Sequence, residues 1–195
     1  NRLELIQLND YNHVNCIEKL YLSNNKLNSI HDSIFQNFSK LSEVYLDNNF
    51  ISHFNQSLFC VTKIKTLSLS FNNLTEIIIS NLNRLSNLLL SGNSLNGSKI
   101  FIHSNLTNLK HLELNMNKIE FLPKEILNNL TNLKYLDLSS NFLRKIEFNL
   151  IFEEIQILKL DNNSLSDIYF FCMPKLAHLN LNLNRLSYFN YKNID

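Results

Sequence analysis

Leu133-Lys134-Tyr135-Leu136-Asp137-Leu138-Ser139-Ser140-Asn141-Phe142-Leu143 is the stretch that decides how this chain folds. Its centre alternates apolar and polar with period two, which is the signature of a short strand with one face inward. The spacing L-x-x-L-x-L-x-x-N-x-L returns at Ile17, Leu41, Ile64, Leu85, Leu109, Ile155 and Leu176, giving eight copies with Leu133. The intervals are 24, 23, 21, 24, 24, 22 and 21 residues. Position nine is Asn every time: Asn25, Asn49, Asn72, Asn93, Asn117, Asn141, Asn163 and Asn184. Position eleven is always Leu or Ile, from Leu27 and Ile51 to Leu165 and Leu186. A period near 20–25 residues demands a stack of coils before any other architecture is considered.

One such coil cannot bury its own leucines, so successive coils stack and share a continuous core. Their strands then pair in parallel about 4.8 Å apart, and eight of them span about 34 Å. The position-nine Asn points inward where the chain leaves the strand. Its amide is placed to satisfy backbone groups that the strand ladder does not reach, because buried polar groups need partners. The rest of each coil is looser. Phe35, Phe38, Leu127, Leu130 and Ile151 recur at positions nineteen and twenty-two and read as filling for a wider convex side. Coils of this length leave room there for extended segments and single helical turns, not long helices.

The segment Glu125-Ile126-Leu127-Asn128-Asn129-Leu130-Thr131-Asn132-Leu133, continuing into Lys134–Asn141, resembles the typical repeat of extracellular leucine-rich-repeat proteins. Ser33-Ile34-Phe35-Gln36-Asn37-Phe38-Ser39-Lys40-Leu41 is similar. Toll-like receptor ectodomains, Slit and related adhesion proteins carry this version, and the resemblance covers residues 17–189. It implies an α/β solenoid with a curved parallel β-sheet on its concave face and short helical or irregular turns on its convex face. The chain is read as a single domain over 1–195, a window from a longer protein, with residues 1–16 as a degenerate repeat. In that reading Leu3, Ile6 and Leu8 form a strand and Tyr11 takes the Asn place. Ser98 replaces the usual apolar residue after the turn-prone Asn96-Gly97, so that coil is expected to deviate. End caps, which solenoids need, are expected outside these residues, the alternative being an end occupied by a partner.

Composition narrows the function. Glycine and proline occur twice each, too few for a catalytic framework of tight turns and phosphate loops. The six His and three Cys form no metal-binding spacing, so neither an enzyme nor a metal or other cofactor is expected. A net charge of +1 shows no nucleic-acid footprint, and no apolar run approaches the ~18–20 residues of a membrane span. A membrane span, if the parent chain has one, lies elsewhere. Cys16 and Cys60 fall two coils, about 10 Å, apart, beyond the ~7 Å Cα reach of a disulfide. Three free thiols, with Cys172, weigh toward a reducing compartment. Seven N-x-S/T sequons weigh the other way: Asn37, Asn55, Asn73, Asn96, Asn105, Asn129 and Asn162.

The outward strand positions form the informative surface. Column three reads Lys19, Glu43, Thr66, Asn87, His111, Tyr135, Ile157, His178. Column five reads Tyr21, Tyr45, Ser68, Leu89, Glu113, Asp137, Lys159, Asn180. Column eight reads Asn24, Asn48, Phe71, Gly92, Met116, Ser140, Asn162, Leu183. Phe71, Leu89 and Met116 are apolar where polar residues are usual, and such clusters mark interfaces. Tyr45, His111, Tyr21 and Tyr135 flank them as further ligand-binding candidates, although the first two tyrosines equally suit cross-strand stacking. The expected function is recognition of a protein or glycoprotein ligand by a receptor or adhesion ectodomain at the cell surface. The alternative is a cytosolic scaffold of the same fold that docks a protein partner.

Overall fold

The computed structural model describes residues 3, 14–30, 34–35, 38–54, 63–79, 82–102, 106–128, 130–147, 152–169 and 173–187. Eight three-residue strands form one parallel sheet. They are β1 (Lys19–Tyr21), β2 (Glu43–Tyr45), β3 (Thr66–Ser68), β5 (Asn87–Leu89), β7 (His111–Glu113), β8 (Tyr135–Asp137), β10 (Ile157–Lys159) and β12 (His178–Asn180). Each pairs with the next in the register of the repeat, so Leu20, Val44, Leu67, Leu88, Leu112, Leu136, Leu158 and Leu179 form one inward row. In the interior coils the leucines of positions one, four, six and eleven are essentially removed from water. At roughly 1.5–3 kcal/mol per buried aliphatic side chain, this shared core is the dominant favourable term. The chain is a parallel-sheet leucine-rich-repeat solenoid with little helix.

The sequence reading did not anticipate two further sheets on the return side. β4 (Ile77–Ile79) pairs with β6 (Ile100–Ile102), and β9 (Lys145–Glu147) pairs with β11 (Asp167–Tyr169), both in parallel. Between the two lies α1 (Lys124–Asn128), a single helical turn and more packed beside β6. Phe35, Phe38, Leu127 and Leu130 are buried here as expected, the two phenylalanines edge to face at 5.9 Å; Ile151 lies outside the described residues. The coil holding Ser98 does deviate. A 3-10 turn over Gly97–Lys99 precedes β6, and the Asn96 side chain caps it by accepting from Ser98 N at 3.1 Å. Gly97 is required there, since an added Cβ would overlap the carbonyl oxygen of Phe121.

One register differs from the sequence reading. The position-ten N–H of each coil donates to the position-eleven carbonyl of the coil before, as Phe50 does to Leu27 at 2.8 Å and Phe142 to Ile119 at 2.9 Å. Lys26 makes the same bond to Leu3 at 2.9 Å. Leu3 therefore stands at position eleven, not position one, and Asn1-Arg2-Leu3 matches the N-x-L of every other repeat. The interval of fourteen residues to Ile17, which looked too short for a coil, equals the ordinary step from Leu27 to Leu41. Tyr11, assigned above to an Asn place, lies outside the described residues.

Candidate functional site

The position-nine asparagines are a built ladder. Asn141 is typical: its Nδ2 donates to Leu114 O of the preceding coil at 2.9 Å, and to Leu138 O and Ser139 O of its own coil at 3.1 and 3.2 Å. Its Oδ1 accepts from Ile119 N of the preceding coil at 3.0 Å. Asn49, Asn72, Asn93, Asn117 and Asn163 repeat this set with the backbones of their own and the preceding coil, all of them buried. Asn184 does the same while half-buried, and Asn25 binds its own coil. In the buried members both the amide nitrogen and the amide oxygen are engaged by backbone, so these residues are structural.

Column eight, immediately before, has left-handed backbone throughout. Its φ values run from 53° to 64°, including Phe71 (54°), Met116 (56°) and Leu183 (54°). This conformation turns the chain so that the following Asn enters the core. It costs a non-glycine residue about 1–2 kcal/mol, least for Asn. Asn24, Asn48, Gly92 and Asn162 fit that demand; Phe71, Met116 and Leu183 do not. The signal was present in the column's own composition, and it was missed. Phe71 lies over Gly92, where an added Cβ would overlap its ring. Phe71 and Met116 remain about half exposed, so no core burial offsets their backbone cost. Leu89, on β5, is half-buried on the strand face of the coil between them.

The rest of the concave face is a polar network. Tyr21 and Tyr45 stack at 4.8 Å and 6°, and Tyr45 Oη donates to Glu43, which also pairs with Lys19 at 2.9 Å. The Lys19 ammonium holds the Glu43 carboxyl below its usual range. His111 and Tyr135 stack at 4.1 Å and 4°. His111 contacts Glu113 through Nε2 at 2.7 Å, and this hydrogen bond, against the opposing effect of burial, lowers the Glu113 carboxyl. Tyr135 Oη donates to Asp137, which is buried, receives Ser139 Oγ at 2.6 Å and pairs with Lys159 at 3.4 Å. Asp47 gathers Ser23, Ser68 and the Ser70 amide. Glu113, Asp137 and Lys159 stand in outward column five and Asp47 at position seven, and the sequence reading does not single them out. The tyrosines and His111 are thus held by neighbours, while Phe71 and Met116 are held by nothing outside their own rim.

Among the sequons, Asn73 and Asn162 are exposed, whereas Asn96 is engaged as the cap described above. Asn37, Asn55, Asn105 and Asn129 lie outside the described residues, as do Cys60 and Cys172; Cys16 is a free, exposed thiol. No helix among the described residues is long and apolar enough to cross a membrane, and none of them groups into a metal site.

Comparison with known proteins agrees with this geometry. Family models described as "Leucine rich repeat" and "Leucine Rich repeats (2 copies)" match residues 17–74 and 107–150. No curated protein matches the sequence. A leucine-rich-repeat protein of Leptospira interrogans superposes with a TM-score of 0.68 at 25% identity, over 89% of this chain and 51% of that one. The leucine-rich-repeat domain of APL1B superposes at 0.65 and 27%, over 86% and 55%. The plant peptide hormone receptor RGFR1, solved in complex with RGF2, superposes at 0.62 and 28%, over 86% and 28%. The chain thus spans about half the length of the first two structures, or less for the receptor. The repeat they share is a protein-interaction module. With its asparagine ladder, its parallel sheet and both family matches, this chain belongs to the leucine-rich-repeat proteins.

Proposed function

We propose that the chain is a non-catalytic recognition segment of a receptor or adhesion ectodomain, and that it takes a protein or glycoprotein ligand on the rim of its sheet around Phe71, Leu89 and Met116. One observation carries the reading. Phe71 and Met116 keep a backbone conformation that disfavours them, yet remain about half exposed. The fold needs this backbone but not a large exposed apolar side chain on it, which suggests a use elsewhere, and backbone outliers cluster at binding sites. Large apolar side chains are also what supplies energy once a partner removes water from them. Tyr45, Tyr21, His111 and Tyr135 form the polar, pre-stacked flank. The peptide hormone receptor among the structural relatives supports a peptide or protein as the class of ligand.

The test is a Phe71→Ser, Leu89→Ser double variant. It should keep its circular-dichroism spectrum and lose at least ~2 kcal/mol of binding to a ligand identified with the wild-type chain. Undiminished binding places the contact elsewhere and ends the reading. Compartment is tested separately: passage through a secretory pathway should add glycans, with Asn73 and Asn162 accessible. A glycosidase that leaves mobility unchanged favours the second reading, a cytosolic adaptor. The observation on that side is the exposed free thiol of Cys16.

A further inference from the structure

The whole chain carries a net charge of only +1, and that average conceals a strongly cationic edge. It lies where the chain enters the strands, on the opposite side from Phe71. The position-two residues are hydrogen-bonded down the stack: Lys65 N to Ser42 O, Ser86 N to Lys65 O, Lys110 N to Ser86 O and Lys134 N to Lys110 O, all at 2.7–2.9 Å. Beside them run the residues just before each repeat, Lys40, Lys63, Arg84, Asn108 and Asn132. The two rows meet in a shallow groove of about 340 Å³ lined by Lys65, Arg84, Ser86, Asn108 and Lys110. Asn108 and Asn132 hold successive coils together beside this groove by donating to Asn83 O and Thr107 O of the coil before, both at 2.7 Å.

From the second coil to the sixth, the described residues of this edge comprise six cations, their remainder being Ser, Thr and Asn. They include no carboxylate and no aromatic ring. All six cations are exposed, and none forms an ion pair with a described carboxylate. Lys65 and Lys134 act only at a distance, on Glu43 and Glu154, whose close partners are Lys19 and Lys175. Acidic residues bound the track at both ends: Glu18 in the first coil, and Glu153 and Glu154 in the seventh. Five coils at about 4.8 Å make it about 19 Å long.

We propose that this edge is a binding track for a sulfated polysaccharide, distinct from the concave rim and independent of the function proposed above. The composition chooses among polyanions. A protein interface takes its energy from buried apolar or aromatic anchors, and the edge offers none. Single-stranded nucleic acid is held by stacking on aromatic platforms, which are also missing. What remains is a row of mobile point charges with hydroxyl and amide donors between them. That set matches a chain of sulfate groups and sugar oxygens, which asks for charge and hydrogen bonds but no stacking. The unneutralised cations also gain the most from releasing the counterions of a linear polyanion.

The experiment uses the chain with heparin oligosaccharides of defined length as the probe, followed by fluorescence titration at several salt concentrations. Lys65→Glu/Arg84→Glu/Lys110→Glu is compared with Lys26→Glu/Lys118→Glu/Arg185→Glu, which changes the net charge equally on the exit edge. The first should lose at least tenfold in affinity and flatten the salt dependence, while the second stays within about threefold of wild type. Desulfated heparin should bind at least tenfold more weakly. If charge reversal disturbs folding by circular dichroism, the Gln versions of the same triples replace it with the same expected order. Equal losses for the two triples would reduce the effect to net charge and overturn the proposal. So would desulfated heparin binding as well as heparin, or a single-stranded or duplex oligonucleotide of equal charge binding more tightly.

Discussion

The exit from each strand and the return behind it are built on different rules. At the exit, from position seven to position eleven, all eight coils use one solution: a left-handed residue, an inward Asn, then a Leu or Ile that is buried in every coil but the last. On the return no two neighbouring stretches need agree. The third and fourth coils pair β4 with β6, the fifth forms α1, and the sixth and seventh pair β9 with β11. Hydrogen bonds are directional and leave a penalty when unmade, so the exit admits one residue type at its key place. The return is constrained by volume, and volume can be filled by a strand, a helical turn or a pair of phenylalanines.

The largest test of that contrast is Asn141→Ala against Asn132→Ala. Asn141 is buried and serves four backbone groups on two coils, so its loss should cost about 3 kcal/mol or more. Asn132 makes one exposed bond to Thr107 O on the return and should cost less than about 1 kcal/mol. Urea midpoints that shift equally would erase the distinction between the two sides. Gly97→Ala comes next and probes where the return becomes as exacting as the exit. The methyl would overlap the Phe121 carbonyl, and the backbone shift should cost about 2 kcal/mol in thermal unfolding. A neutral result would mean that even this tight approach relaxes freely.

Smaller effects sharpen the exit itself. Gly92→Ala should destabilise the wild type, but less so in a Phe71→Ser background, because the ring over Gly92 is then gone. A coupling of about 0.5 kcal/mol or more in this double-mutant cycle is expected, and strict additivity would place the Phe71 ring elsewhere. By the same reasoning Phe71→Asn should raise stability by up to about 1 kcal/mol, since Asn tolerates the left-handed backbone. The smallest effect is electrostatic. The Glu113 carboxyl is lowered in the folded chain, chiefly by His111. Its contribution is present above the unfolded carboxylate value near ~4.3 and disappears as pH falls through the lower folded value. Stability of Glu113→Gln should therefore fall less than wild type below about pH 4.3; parallel acid curves would show that the pair contributes nothing.

Legibility followed the same division. The leucine rows and the asparagine ladder were readable because each is repeated eight times and each has one physical reason. The left-handed column was hidden by Phe71, Met116 and Leu183, though Asn24, Asn48, Gly92 and Asn162 in the same column announced it. Leu3 reads as position one when followed forward along the chain, whereas the hydrogen bond from Lys26 N of the next coil fixes it at position eleven. β4 and β6 were overlooked because Ile77-Ile78-Ile79 and Ile100-Phe101-Ile102 are apolar runs without alternation or fixed spacing. The concave network of Glu113, Asp137 and Lys159 depends on side-chain reach between coils, which column membership alone does not report.

The asparagine ladder also has a mechanical polarity. Each amide makes its inter-coil bonds toward the lower-numbered neighbour only, gripping that coil's position-six carbonyl and position-eleven N–H. Peeling the stack from its high-numbered end strips a coil of partners for two rigid backbone groups at once. Of the ladder's own groups, peeling from the other end exposes only a side-chain amide, which can rotate toward water. Under tension the solenoid should behave as a one-way ratchet, yielding at lower force when pulled open from the side of Asn49 than from the side of Asn163.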